Sequence, residues 1–205
     1  MRIETKEQLR FCIAADRIMN GRDVDGNPVV NLLRRIAKPD PIMSYLKAMR
    51  KIQFYRGKNE AVRKFYQGRY NALGLKLGFS IDPMVFSEGL VIPHYGTIVV
   101  GGGNFIGSFA VLHTSTCITV GAKRIGKGFY LSTGSIVIKD VSIADHVTVS
   151  ANSLVNRDVE DGNNLVAGSP AGSVRQCPAW YDAAPFDARV KRVEQLRAEL
   201  DLHPE

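Results

Sequence analysis

The sequence predicts a mainly β protein in which short strands wind into a triangular coil flanked by helices. Three patterns support this fold class: a six-residue spacing of aliphatic residues after residue 105, a helical spacing of apolar residues before residue 78, and a charged amphipathic stretch near the end. They divide the chain into a basic α-helical region at 1–78, a coil at 79–175, and a tail with a helix at 176–205.

The N-terminal region contains the first helical patterns. Lys6 to Met19 is helix-like, Gly21 to Pro28 is rich in turn residues, and Ile42 to Leu77 has the apolar spacing of one or two amphipathic helices. Pro39 and Pro41 separate the two helical stretches.

The positive charge of the chain is concentrated in the same region. Residues 1–78 carry 17 Lys and Arg against 7 Asp and Glu, whereas residues 79–205 carry 10 against 13. A solvated face on helices that pack against their own domain explains this excess. The alternative is contact with an anionic membrane surface or a diphosphate-linked sugar. We expect no nucleic-acid partner.

Localisation is inferred from what the sequence lacks. Its longest apolar runs are far shorter than the roughly 20 residues that span a bilayer, and no export signal is visible. Cys12, Cys117 and Cys177 are widely spaced and form no CxxC pair, so neither a disulfide framework nor a structural zinc site is indicated. We expect a cytoplasmic protein, with peripheral contact at the inner face of the membrane as a further expectation.

The six-residue spacing predicts the central coil. One extra residue interrupts it after Ile118, and every position in the series is Leu, Ile or Val: Ile106, Leu112, Ile118, Ile125, Leu131, Val137, Ile143, Val149 and Val155. A turn of about 18 residues, with three short strands and one inward aliphatic side chain per wall, explains this spacing. A β-sandwich would instead show a period of two.

The tail ends in a second amphipathic pattern. Between Asp187 and Asp201, the apolar residues Val190, Val193, Leu196 and Leu200 share one stripe. We expect a helix that packs against the coil or against a neighbouring subunit.

Four segments of the coil carry a family resemblance. They are Gly89 to Val100, Leu112 to Gly121, the small-residue tetrads Ser132 to Ser135 and Ser150 to Ser153, and the G-x-P-A turn within Ala167 to Ala171. Over about residues 76–175 the sequence resembles the hexapeptide-repeat acyltransferases. Within that family it resembles the serine acetyltransferases and their relatives in polysaccharide clusters.

The resemblance implies both an architecture and an activity. The coil would be a left-handed parallel β-helix, and the protein a homotrimer with its active sites between neighbouring subunits. Acetyl-CoA would be the donor, with no metal, and the acceptor a hydroxyl of a sugar or polysaccharide precursor. Serine O-acetylation in cysteine biosynthesis is the first alternative, and a non-catalytic β-helix scaffold is the second.

The resemblance implies that His94 is the general base. A neutral imidazole suits this task because its ordinary pKa lies near 6.5; a structural histidine at a strand end is the alternative. Serine acetyltransferases have aspartates where this chain has Ser80 and Pro93. Asp82, two residues beyond Ser80 on an extended strand, is therefore the candidate to orient His94, unless it only forms a turn before Pro83.

His113 is the second catalytic candidate, because the polysaccharide-linked relatives often have a histidine there. It would contact the acceptor or the thioester, or else a neighbouring subunit. A zinc site would need a third histidine. His146 and His203 are the remaining histidines, and neither is an obvious partner.

The resemblance also implies a cofactor wall. Small side chains would let pantetheine approach the backbone of Ser132, Thr133, Gly134, Ser150 and Ala151. Lys139, Arg157 and Arg175 lie near the later turns of the coil and are the candidate cations for the nucleotide phosphates. Gly172 stands where relatives commonly have Arg or Lys, and Arg175 is the first choice to replace that cation. The segment Val120 to Arg124 is shorter than the corresponding serine acetyltransferase loop. We therefore expect a more open acceptor pocket and poor use of free L-serine.

Overall fold

The computed structural model describes residues 3–22 and 40–202. Most of the turn-rich segment Gly21 to Pro28, together with Pro39 and His203, lies outside the described residues. The helices are α1 (Lys6–Met19), α2 (Pro41–Tyr55), α3 (Glu60–Leu77) and α4 (Phe186–Glu199), with a short 3₁₀ helix at Trp180–Asp182. None of the described helices is long and apolar enough to cross a membrane.

Thirteen short strands lie between α3 and the 3₁₀ helix. They are β1 (Phe79–Ile81), β2 (Ile98–Val100), β3 (Phe105–Ile106), β4 (Val111–Leu112), β5 (Thr116–Ile118), β6 (Arg124–Ile125), β7 (Tyr130–Leu131), β8 (Ile136–Val137), β9 (Ser142–Ile143), β10 (Thr148–Val149), β11 (Leu154–Val155), β12 (Asn164–Gly168) and β13 (Ala171–Gln176).

The strands form the three walls of a prism. Wall one has the order β1-β2-β5-β8-β11, wall two β3-β6-β9, and wall three β4-β7-β10-β12-β13. All neighbours pair in parallel except β12 and β13, which form an antiparallel hairpin. The predicted fold class, a mainly β parallel coil of about five turns with flanking helices, is confirmed.

The interior is an aliphatic ladder. All nine positions of the six-residue series are at most 3% exposed, which confirms the predicted register. The ladder also extends by one turn at the start, because Ile81 pairs with Val100 and Phe86 with Ile106. Each wall therefore contributes one inward column, and the columns fill the prism without polar side chains from these positions.

Two corners in the first half of the prism are longer than the six-residue series allows. The step from the inward Ile92 to Val100 is eight positions, and the step from Ile118 to Ile125 is seven. The first of these corners carries His94. The second encloses Lys123, which is fully buried and donates from Nζ to the carbonyl oxygens of Thr119 and Val120 at 2.9 and 3.3 Å.

Helix α3 leads directly into the first turn of the coil. Asn59 caps its start, and its end is capped by Gly78, which has a positive φ of 79°. The amide of Gly96 then donates to the carbonyl of Leu77 at 2.9 Å. The C-terminal end of α3 thus lies against the corner that carries His94. Its outer surface leaves Phe65 and Leu75 exposed.

A buried ion pair fixes the N-terminal helices to the coil. Arg50 on α2 donates to both carboxylate oxygens of Asp16 on α1 at 2.8 and 2.9 Å. Arg50 also donates to the carbonyls of Phe86 and Ser87, while Asp16 accepts from the amides of Gly89 and Leu90. Hydrogen bonds therefore satisfy both buried charges. The core is continuous from α2 into the prism interior. Helices α1 and α4 pack in a second cluster that includes Phe109 and Val111.

Candidate active site

One edge of the prism joins wall three to wall one. The chain crosses it at residues 93–97, 113–115, 132–135 and 150–153, and the turn at 168–171 lies at the same end of wall three. We call this column of corners the histidine edge, because its first two corners contain His94 and His113. The predicted cofactor residues Ser132, Thr133, Gly134, Ser150 and Ala151 occupy the next two corners.

Backbone hydrogen bonds link successive corners of the histidine edge. Ser115 donates to Thr97 at 2.6 Å, Gly134 to Thr114 at 3.3 Å, and the amide of Asn152 to Thr133 at 3.0 Å. The corners pack closely, since a Cβ at Gly96 would lie only 2.9 Å from Thr114 Cγ2. The edge is thus a continuous surface along the coil.

Residues within each of the two tetrads differ in burial and in hydrogen bonding. The last residue of each is buried: Ser135 Oγ donates to the Ser150 carbonyl at 2.6 Å, and Ser153 Oγ accepts from the Gly168 amide at 3.2 Å. Thr133 and Ala151 face solvent. The exposed part of the edge consequently presents small side chains, which an extended ligand can approach closely.

The two histidines of this edge differ in environment. His94 is exposed on the long corner, whereas His113 is half-buried. The Nε2 atom of His113 lies 2.6 Å from Tyr130 Oη. Burial, and secondarily the neighbouring His94, hold the pKa of His113 below its usual value. At neutral pH His113 is therefore uncharged and near enough to sense the charge of His94.

Tyr130 and Trp180 complete this environment, and the sequence did not point to either of them. Tyr130 lies beside Val111 on wall three, and its ring centroid is 6.1 Å from that of Trp180. Trp180 is held in place because its Nε1 donates to the Phe109 carbonyl at 3.0 Å. The alternation around β7 could have indicated that Tyr130 points outward next to His113. The position of Trp180 depends on how the tail folds back.

The structure corrects the expected role of Asp82. Asp82 follows β1 at the edge between walls one and two, whereas His94 precedes β2 at the opposite end of wall one. Its Oδ1 accepts from the Met84 amide at 2.8 Å, as in a turn. It lines a cavity of about 810 Å³ with Arg56 and Arg63, away from the histidine edge. The prediction that Asp82 orients His94 is therefore wrong.

The three candidate cations lie in different places. Lys139 lies between β8 and β9 on the edge between walls one and two, so it does not share an edge with the tetrads. Arg157 follows β11, but its Nε donates to the Ala171 carbonyl at 3.2 Å and so reaches the closing turn. Arg175 is exposed on β13, opposite Leu165. The structure therefore brings Arg157 closest to the end of the histidine edge.

Histidines are common metal ligands, so their neighbours bear on whether a metal ion could bind. Within residues 3–22 and 40–202, no group of three or more His, Cys, Asp or Glu could hold a metal ion. His146 lies at the third edge, between walls two and three, where its Nε2 is 2.8 Å from Tyr181 Oη. His146 is therefore not part of the histidine edge.

Comparison with known proteins identifies relatives of this arrangement. A putative serine acetyltransferase of Schizosaccharomyces pombe is 31% identical over 121 residues, which are 55% of this chain and 44% of that protein. The chain therefore spans less than half the length of this curated relative. No family model matches the sequence.

Solved structures of serine acetyltransferases share the fold. One in complex with CoA superposes with a TM-score of 0.61 at 19% identity, covering 82% of this chain and 71% of that one. The Neisseria gonorrhoeae enzyme gives 0.62 at 20% identity, with coverage of 83% and 66%. A soybean enzyme complexed with serine gives 0.62 at 19%, with coverage of 82% and 70%. The chain thus has the left-handed β-helix fold of these proteins, and the predicted resemblance to hexapeptide-repeat acyltransferases is confirmed at the level of fold.

Proposed function

We propose that this protein is an acetyl-CoA-dependent O-acetyltransferase that acts on serine. The observation that carries the proposal is the histidine edge, where an exposed imidazole is continuous with two corners of small residues. Solved proteins of the same fold bind CoA and serine. The curated relative is also described as a putative serine acetyltransferase.

The proposed reaction uses His94 as general base. His94 takes the proton of the acceptor hydroxyl as the oxygen attacks the thioester carbonyl carbon, and the carbonyl electron pair moves onto its oxygen. When this pair returns, the carbon–sulfur bond breaks and the CoA thiolate receives the proton from His94. The acceptor leaves as the acetyl ester, so atoms and charge balance.

The exposed backbone of the two tetrads suits the extended pantetheine arm. Thr133 and Ala151 leave it accessible, and Arg157 lies near the closing turn. We propose that the arm runs along these corners and that Arg157 approaches the nucleotide phosphates, with Arg175 as a second cation.

A sugar hydroxyl is the second candidate acceptor. It is favoured by Ser80 and Pro93, which replace the aspartates of serine acetyltransferases. It is also favoured by the segment Val120 to Arg124, which is shorter than the corresponding serine acetyltransferase loop. The comparisons support serine better than a sugar as the acceptor. Serine is therefore the main proposal.

We also propose a homotrimer, as the resemblance implies. Wall one adjoins the histidine edge, and Val99 and Ile136 on its outer surface are 37% and 38% exposed. A second copy of the chain would cover these apolar side chains. Sedimentation velocity should give the mass of three chains, and a monomer would contradict this assembly.

The acceptor experiment measures CoA release from acetyl-CoA with L-serine, D-serine and a panel of free and diphosphate-linked sugars. We expect release that depends on L-serine. Release only with sugars would support the second candidate acceptor instead. A rate that falls as salt rises would strengthen that conclusion, because salt screens electrostatic attraction over roughly 10 Å. No release with any acceptor would favour a non-catalytic scaffold.

A further inference from the structure

Two histidine–tyrosine pairs occur in the described part of the chain, and they differ in what else the imidazole contacts. His146 uses both nitrogens, with Nε2 at 2.8 Å from Tyr181 Oη and Nδ1 at 3.2 Å from Asn163 Oδ1. His113 uses only Nε2, at 2.6 Å from Tyr130 Oη. Among residues 3–22 and 40–202, no side chain or carbonyl is hydrogen-bonded to its Nδ1.

The pairing with Tyr130 selects one tautomer of His113. Burial raises the pKa of Tyr130, so its phenol keeps its proton. A phenol is a better donor than acceptor, and an uncharged imidazole has one nitrogen that accepts. Tyr130 therefore donates to Nε2, and the proton of the neutral ring resides on Nδ1.

His113 lies where its Nδ1–H group is close to the proposed base and to the tetrads. His113 is on the corner next to that of His94, and it continues into the tetrads along the same edge. When His94 accepts a proton, its positive charge disfavours a second charge on His113. His113 thus remains an uncharged donor during proton transfer, while His94 is the base.

We propose that His113, held in its Nδ1–H tautomer by Tyr130, donates a hydrogen bond to the thioester carbonyl oxygen as that oxygen becomes negative. This inference rests on the proposed acetyl transfer and adds an electrophilic group to it. No proton leaves His113 in the step, because it only stabilises the developing oxyanion. Tyr130 is a positioning residue that acts through His113.

The kinetic test uses variants that separate the loss of the hydrogen-bond donor at residue 113 from a change in side-chain size. His113→Leu removes the donor, whereas His113→Asn places an amide N–H near the position of Nδ1. We expect kcat to fall about 10²-fold or more in His113→Leu with KM for acetyl-CoA changed far less, and to be largely restored in His113→Asn. Equal activity of His113→Leu and wild type would overturn the proposal, and so would an Asn variant as inactive as the Leu variant.

Tyr130→Phe tests the positioning role, and Tyr181→Phe is the matched control at the other pair. The titratable side chains shown to face His113 are His94 and Tyr130. Loss of the phenol donor removes support for neutral His113, so its pKa should rise. The pKa of His113, followed by NMR titration of its ring C–H protons, should therefore rise in Tyr130→Phe and stay in place in Tyr181→Phe. An unchanged pKa of His113 in Tyr130→Phe contradicts the positioning role.

Nitrogen-15 NMR of ring-labelled histidine reads the tautomer without any turnover. We expect His113 of the wild type to carry its proton on Nδ1, and this preference to weaken in Tyr130→Phe. A proton on Nε2 in the wild type would overturn the inference even if the enzyme is active. A wild type inactive with every acceptor would instead refute the proposed function, whatever the tautomer.

Discussion

His94 lies on the outside of the longest corner between wall three and wall one, where its imidazole is exposed. The corner has two residues more than the six-residue repeat, and this extra length sets the ring apart from the aliphatic ladder. Backbone hydrogen bonds from Gly96 to Leu77 and from Ile98 to Gly78 hold the corner against the end of α3. An exposed ring on a supported corner can accept a proton from a bound acceptor without unfolding the coil.

The matching substitution is His94→Ala. We expect acetyl transfer to fall by about 10²–10⁴-fold, because a positioned general base contributes on this order. CoA binding should be retained, since the tetrads are untouched. Asp82→Asn is the control, and its turnover should remain near that of wild type because Asp82 lies at another edge. Near-wild-type turnover in His94→Ala would exclude it as base.

For single residues, the sequence predicted where the site residues lie better than which side chains they contact. The motif around His94 and the aliphatic series place His94, His113 and the tetrads one prism turn apart, and the structure stacks them on one edge. The role of Asp82 was predicted wrongly because side-chain alternation shows which face of a strand a residue occupies. It does not show which end of the strand lies next to His94. Tyr130 was missed because its partner is 17 residues away.

The elements of the coil owe their stability to inward side chains rather than to strand length. Most strands are two residues long, yet the inward residue of each turn is almost completely buried. The period of these residues is visible in the sequence, so the coil was predictable from residue 106 onward. The first turn was less evident because its spacings are irregular, and its helical cover depends on the distant pair Asp16 and Arg50.

Two leucine substitutions test this account of the coil. Leu131 is 0% exposed in the ladder, whereas Leu75 is 88% exposed on α3. Leu131→Ala should lower the free energy of unfolding by about 2–5 kcal/mol, because it leaves a cavity in a packed interior. Leu75→Ala should change it by about 0.5 kcal/mol or less. Urea unfolding followed by circular dichroism measures both, and similar losses would contradict the register.

The molecule as a whole presents three edges of similar backbone geometry, of which one is proposed as the site. The edge between walls one and two holds Asp82, the buried Lys123 and Lys139. The edge between walls two and three is partly covered by the tail through His146 and Tyr181. The sequence places Lys139 near the later turns of the coil, but only the topology of the whole prism shows which edge it lies on.

The central claim is that the histidine edge binds the acetyl donor, and calorimetric titration with CoA tests it directly. Ala151 and Ala122 are both exposed alanines on corners of the coil, but Ala122 belongs to the edge between walls one and two. Ala151→Trp should weaken CoA binding at least about tenfold, which corresponds to about 1.4 kcal/mol. Ala122→Trp should leave it unchanged. Undiminished binding in Ala151→Trp, or an equal loss in Ala122→Trp, would contradict the assignment of this edge.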